Sequence, residues 1–159
     1  MIEAKIQSTH ILITDSVANI FMTYRQFHNN DSERGGIVLG QVNESNDKIL
    51  VCRATIPSNG DSWGKTSFRR NHIVAQYMIE YEFFNSDRRN TYLGEWHTHP
   101  AKIASPSSQD LSMIKQQFLE NTIKVNFIFL FIVAHDELYI GTYNGNEINS
   151  IKIPFPLVK

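Results

Sequence analysis

The chain has 159 residues, of which 42% are hydrophobic and 19% charged, and its formal net charge is −1. This length suits one domain around one ordinary core, and scattered basic residues without a broad basic face argue against a nucleic-acid-binding protein. A single cysteine, Cys52, excludes an internal disulfide, which fits a reducing cytoplasmic compartment.

The N-terminal segment predicts a strand followed by a helix. The first ten residues, MIEAKIQSTH, have neither the basic nor the apolar part of a signal peptide, so we expect none. Residues 10–14 predict a short strand. Asp15 or Ser16 can then cap a helix whose apolar residues recur at helical spacing as far as Phe27.

The middle of the chain predicts a hairpin, a long loop and a second helix. Runs 35–42 and 48–56 have strand composition and are joined by the polar turn NESND. Residues 57–71 have the composition of a long surface loop, a kind of segment that is often functional. Apolar residues at helical spacing follow, and this helix is predicted to end near Asn85.

The remainder predicts one strand, a third helix and three final strands. Residues 91–99 form the strand, 108–121 the helix, and the runs 125–134, 137–143 and 146–153 the last strands. The apolar run 127–134 is far shorter than the ~20 residues of a membrane span. The whole pattern predicts a single α/β domain over residues 1–159, with a mixed β-sheet flanked by helices.

Two histidines end the predicted strand 91–99. Alternate residues of a strand point to the same face, so His97 and His99 project together, and Pro100 stops the strand behind them. Asp110 follows at the start of the next helix, three residues after Ser107 and on the same helix face. Two imidazoles and one carboxylate, with a fourth position left for water, are the ligand set of a catalytic zinc site. A lone His-x-His pair is more often structural, but this spacing predicts a metal site.

These residues resemble the JAMM motif of the MPN/JAB metallopeptidases. The motif is matched by HTHP at 97–100 and by Ser107 and Asp110, and the upstream ERGGIVLG supplies Glu33 before a glycine-rich strand. The resemblance implies a cytidine-deaminase-like α/β sandwich and a Zn²⁺ cofactor. It also implies that Glu33 is the general base and that Ser107 donates a hydrogen bond to the developing oxyanion. The non-catalytic alternatives are that Glu33 is a solvated charge and that Ser107 is a helix cap.

The same resemblance implies the reaction and the partners. MPN/JAB peptidases hydrolyse the peptide or isopeptide bond that follows the C-terminus of a ubiquitin-like protein. Within the family, this compact chain looks most similar to the bacterial deconjugating peptidases of CBASS antiphage operons. Those enzymes release a nucleotidyltransferase from conjugates, and enzymes similar to ubiquitin-transfer enzymes are encoded beside them.

Contacts to substrate are predicted from the loop 57–71 and from the strand that carries the histidines. The loop contains Trp63, Phe68, Arg69 and Arg70, an aromatic and cationic set that suits a protein interface. Arg69 and Arg70 can equally be solvated residues before the helix. Glu95 lies on the predicted histidine face and is expected to support the ligands or to contact substrate.

Three other functions stay open at this point. The chain can process another ubiquitin-like or sulfur-carrier protein, or it can be a non-enzymatic MPN interaction module. A scaffold has no physical need for an open metal site and a base, which favours the enzyme. A DNA-associated RadC-like protein shares the metal motif, but the sequence lacks a helix-hairpin-helix segment and a broad basic face.

Overall fold

The computed structural model describes residues 1–28, 31–65, 67–120 and 124–155. The described residues form three helices, α1 (Asp15–Tyr24), α2 (His72–Asn85) and α3 (Ser108–Glu120). They also form the strands β1 (Ile2–Ile6), β2 (Thr9–Ile13), β3 (Gly35–Val42), β4 (Lys48–Ala54), β5 (Ser62–Trp63), β6 (Phe68–Arg69), β7 (Thr91–Thr98), β8 (Ile128–Val133), β9 (Glu137–Tyr143) and β10 (Ile148–Pro154).

Eight strands form one mixed sheet in the order β1-β2-β4-β3-β7-β8-β9-β10. The pairs β2–β4 and β7–β8 are parallel, and the other neighbours are antiparallel. Strands β5 and β6 pair with each other in a separate hairpin. β7 therefore lies in the middle of the sheet, hydrogen-bonded on both sides, and its C-terminal end is held firmly.

Each face of the sheet has its own core. Phe21 of α1 packs on one face, in a cluster with Trp96 and Phe129. Helices α2 and α3 cover the other face, where Ala75 and Ile114 are buried. Successive side chains of the central strands point to opposite faces and so belong to the two clusters in turn. Each large buried apolar side chain contributes about 1.5–3 kcal/mol to the free energy of folding. The predicted mixed α/β class is confirmed.

A bulge in β7 sets which of its residues share a face. Opposite β3, Val38 pairs with Gly94 and Leu39 pairs with Tyr92, so Leu93 is the extra residue. Gly94 has φ +152°, and a Cβ there would collide with the Phe129 backbone, so only glycine fits. The extra residue turns Tyr92 to the same face as Glu95.

The prediction differs from the structure near the N-terminus. Strand β1 was not predicted; its polar residues alternate with apolar ones at the sheet edge. Helix α1 begins at Asp15 rather than after an Asp15 or Ser16 cap, and it ends at Tyr24 instead of reaching Phe27. Arg25 leaves the helical conformation because it is buried by tertiary contacts, including a hydrogen bond from its Nη1 to the His135 carbonyl.

The other two helices lie where they were predicted. Asn71 caps α2 by accepting hydrogen bonds from the Ile73 and Val74 amides. Helix α3 is described to Glu120, and its predicted last residue, Asn121, lies outside the described residues. No helix in the described ranges is long and apolar enough to cross a membrane. The predicted loop 57–71, described except for Thr66, contains the β5–β6 hairpin.

Candidate metal site

The candidate metal ligands come together from the end of β7 and the start of α3. His97 is the penultimate residue of β7, and His99 follows the strand directly. Asp110 stands in the first turn of α3, where a carboxylate is favoured by the helix dipole. The segment between them folds back because the His135 amide donates to the Ala101 carbonyl and the Ala104 amide to Glu137.

The ligand atoms of the three side chains face one another. The Nε2 atoms of His97 and His99 are 3.1 Å apart. Asp110 Oδ1 lies 3.1 Å from His97 Nε2, and its Oδ2 lies 3.4 Å from His99 Nε2. Within the described residues, this is the one group of at least three His, Cys, Asp or Glu side chains whose ligand atoms all lie within 4.8 Å of one another.

This donor set fits a zinc ion. Zinc bonds of ~2.0–2.2 Å at tetrahedral angles place ligand atoms roughly 3.3 Å apart, close to the separations seen here. Two imidazole nitrogens and one carboxylate also match the ligand chemistry of catalytic zinc sites, which keep one position open. The three side chains are largely buried, with His97 only 4% exposed, so a cation would balance the buried carboxylate.

Glu33 lies beside this cluster rather than within it. It precedes β3, and its Oε1 is 3.9 Å from His99 Nε2. Its amide donates to the Gly64 carbonyl, so the β5–β6 hairpin holds its backbone. Glu33 is buried, which contradicts the alternative of a solvated charge. A carboxylate at this distance can exchange a proton with a molecule bound next to the ligands.

The pKa shifts of Glu33, Asp110 and His99 differ in direction. Burial raises the pKa of Glu33 more than the nearby histidines lower it. Burial also acts to raise the pKa of Asp110, but hydrogen bonds with His97 and His99 hold it far below its usual value. For His99, burial lowers the pKa, yet the hydrogen bond and charge of Asp110 leave it raised. Asp110 is therefore a permanent anion, whereas Glu33 holds a proton more readily than an exposed glutamate.

Ser107 caps α3 in the structure. Its Oγ accepts from the Asp110 amide at 3.1 Å and donates to Asp110 Oδ2 at 2.7 Å, and its own amide donates to the same oxygen. This reciprocal pair is a capping box. The hydroxyl is thus engaged with a candidate ligand, and its predicted role toward an oxyanion requires it to rotate away.

The predicted substrate contacts Arg70 and Glu95 bind each other. Arg70 Nε donates to Glu95 Oε1 at 2.7 Å, and the Tyr92 hydroxyl donates to the same oxygen. The side chains are 11% and 6% exposed, so Arg70 is not the solvated residue of the alternative interpretation. Arg69 is exposed. The ion pair ties the loop that precedes α2 to the strand that carries the histidines.

A cavity of about 610 Å³ opens at the cluster. Most predicted site residues line it: Glu33, Phe68, Arg69, Arg70, Glu95, His97, His99, Ser107 and Asp110. Trp63 is not in this lining; its ring lies 4.4 Å from the Arg34 guanidinium instead. A larger cavity of about 870 Å³ runs along α2 and shares Arg70, His72 and Glu120 with the smaller one. It contains none of the candidate ligands, so the smaller cavity is the candidate site.

Sequence reasoning did not single out two buried polar residues behind the ligands. Thr98 lies between the histidines and donates to Gln26 at 2.8 Å. Both residues are fully buried, with exposures of 0% and 1%. The position of Thr98 inside the motif could have drawn attention to it. Nothing in the sequence distinguishes Gln26. Cys52, by contrast, lies away from the cavity, and burial raises the pKa of its thiol.

Fold and site together define a JAB-type domain: a mixed sheet between helices, with the His-His-Asp cluster at the end of its central strand. The chain belongs to the prokaryotic homologs of the JAB domain, whose family model matches residues 19–148. The family predicted from the motif is therefore confirmed.

Individual relatives agree with this membership. The chain is 27% identical to the CD-NTase/cGAS isopeptidase of Escherichia coli (strain TW11681), over 90% of this chain and 88% of the relative. It is also 27% identical to the proteins of the same name from Vibrio cholerae, over 82% and 80%, and from Pseudomonas aeruginosa, over 92% and 90%. The solution structure of protein DSY2949 from Desulfitobacterium hafniense superposes with a TM-score of 0.61 at 20% identity, covering 89% of each chain, which shows the shared fold.

Proposed function

We propose that the chain is a cytoplasmic, zinc-dependent isopeptidase of the JAMM type. The observation that carries this proposal is the convergence of His97, His99 and Asp110, with the Glu33 carboxylate 3.9 Å from His99. As its substrate we propose a CD-NTase joined through its C-terminus to another protein. The names of the relatives support this choice, because they describe isopeptidases of CD-NTase and cGAS.

Each residue has a defined part in the proposed hydrolysis. His97, His99 and Asp110 would hold the zinc ion, which would supply Lewis-acid chemistry and lower the pKa of water at the site toward neutrality. The Glu33 carboxylate accepts a proton from the attacking water and then donates it to the leaving amine. Its raised pKa suits the first step, because a carboxylate whose pKa lies nearer neutrality is a stronger base than an ordinary glutamate.

The β5–β6 hairpin is the proposed support for the substrate tail. Within the described residues these two short strands pair only with each other, so each has a free backbone edge. An extended C-terminal tail can add to such an edge by β-augmentation. Phe68 and Arg69 of β6 line the cavity and would lie beside the tail as it approaches the ligands.

A cleavage assay tests the proposal. The zinc-loaded chain and its Glu33→Ala variant are mixed with a CD-NTase that is fused at its C-terminus to a fluorescent protein. Intact-mass analysis is expected to show cleavage at the junction by the wild type. The variant is expected to keep its zinc and to lose at least about 10²-fold in rate.

Other outcomes separate the alternatives. Cleavage of a ubiquitin fusion but not of the CD-NTase fusion would contradict the proposed substrate and favour a ubiquitin-like protein in its place. Equal rates for wild type and Glu33→Ala would remove Glu33 as the base. Zinc binding without cleavage of either fusion would contradict the isopeptidase and favour an interaction module.

A further inference from the structure

The segment that carries Glu33 has no regular secondary structure of its own. Between the end of α1 and the start of β3, residues 31–34 form neither helix nor strand. The position of the Glu33 carboxylate therefore depends on the bonds that fasten this segment to its neighbours. Catalysis is sensitive to that position, because a displacement of about 1 Å can cost ~10²-fold in rate.

Thr98 fastens this segment to the strand that bears the histidines. The Thr98 amide donates to the Arg34 carbonyl at 2.8 Å. The Arg34 amide donates back to Thr98 Oγ1 at 3.0 Å. The residue after Glu33 is thus clamped by both the backbone and the hydroxyl of the residue between His97 and His99.

Gln26 extends the clamp to the beginning of the same segment. Its Oε1 accepts the hydroxyl proton of Thr98, and its Nε2 donates to the Asp31 carbonyl at 2.7 Å. The side-chain oxygen and nitrogen of Gln26 and the Thr98 hydroxyl therefore all take part in one chain of hydrogen bonds. Because Gln26 and Thr98 are buried, each bond lost leaves an unpaired polar group, which makes the arrangement rigid.

We propose that Thr98 and Gln26 are positioning residues that hold Glu33 in register with the His97–His99 pair. Thr98 does so from the opposite face of β7, where its side chain points away from the ligands. One residue thereby links the ligand strand to the segment of the base. This inference rests on the proposed function for its effect on rate, but not for its effect on the segment itself.

The test compares Thr98→Val with Thr98→Ser and with a matched control. Valine keeps the β-branched shape and removes the hydroxyl, whereas serine keeps the hydroxyl. Thr55→Val is the control, because Thr55 Oγ1 accepts from the Ile37 amide at 3.0 Å, an equivalent bond further along β3. For each protein we would measure amide exchange at Arg34 by NMR, zinc per chain, and the rate on the CD-NTase fusion.

The expected results distinguish a specific role in positioning Glu33 from a general loss of structural stability. Thr98→Val should speed exchange at the Arg34 amide about tenfold and lower the rate about 10- to 100-fold, with one zinc retained per chain. Thr98→Ser should keep most of the rate, and Thr55→Val should leave both readouts near wild type. Gln26→Leu should act in the same direction as Thr98→Val.

Three results would overturn the inference. Unchanged exchange at Arg34 in Thr98→Val would show that the hydroxyl does not hold the segment. A rate loss in Thr98→Val no larger than that in Thr55→Val would show a general structural role. Loss of zinc from Thr98→Val would show that Thr98 supports the ligands instead. An inactive wild type would contradict the proposed function only, and exchange at Arg34 would still decide whether Thr98 holds the segment.

Discussion

At the scale of single residues, Asp110 combines two roles. It faces His97 and His99 as a candidate ligand, and it completes the capping box of α3 with Ser107. We expect Asp110→Ala to lose bound zinc, because two imidazoles alone are a weak site. Compared with the wild type without metal, the variant should also have a free energy of unfolding about 1 kcal/mol lower, since the cap is lost. Elemental analysis and urea denaturation measure the two effects.

Ser107→Ala is the matched control for that experiment. It removes the same cap without removing a ligand, so its stability should fall by a similar amount while zinc stays bound. A zinc-free Ser107→Ala, or a zinc-loaded Asp110→Ala, would contradict the separation of the two roles. A lower rate in Ser107→Ala at full zinc content would support the predicted contact of this hydroxyl with the oxyanion.

At the scale of elements, Arg70 anchors the β5–β6 hairpin to β7 and α3. The guanidinium binds Glu95 in β7, and its Nη2 donates to Gln117 in α3. Removing one partner of a buried ion pair leaves the other charge uncompensated. We therefore expect Arg70→Met to lower the free energy of unfolding by about 3 kcal/mol, measured by urea denaturation at fixed zinc concentration.

Arg69→Ala provides the comparison, because the neighbouring arginine is exposed. Its unfolding free energy should stay within about 0.5 kcal/mol of the wild type, although its rate of cleavage falls if it contacts the substrate. Equal destabilisation by the two substitutions would show that the Arg70–Glu95 pair adds nothing specific to the fold.

At the scale of the whole molecule, we expect the fold to form without a metal. Separate apolar clusters fill the two faces of the sheet, and the candidate ligands lie outside both clusters, at the C-terminal end of β7 and the start of α3. We expect a chelator to leave the far-ultraviolet circular dichroism unchanged. It should lower Tm by roughly 5–10 °C, the shift expected when a ligand present at about 100 times its Kd is removed.

The variant His97→Ala serves as the reference for chelation. Without a complete ligand set it should have the lower Tm from the start and should not respond to the chelator. Unfolding of the wild type on chelation would instead make zinc a structural ion. An unchanged wild-type Tm would show that the cluster binds no metal under these conditions.

Local patterns were sufficient for much of the fold and for the ligand cluster. The position of α2 follows from the helical spacing of its apolar residues, and the central strands follow from their apolar runs. The donor atoms of His97, His99 and Asp110 meet as the spacing predicted. These features depend on neighbours in sequence, so the sequence alone contains the information that places them.

Other features depend on residues far apart in the chain. Helix α1 stops before Phe27 because Arg25 and Gln26 bond to His135 and Thr98, more than 70 positions away. Arg70 faces Glu95 and not solvent because the sheet brings the loop against β7. The sequence by itself determined the class of fold, the family and the candidate ligands. Tertiary structure alone decided how Glu33 is held beside them, since buried polar groups take whichever partner the fold brings within reach.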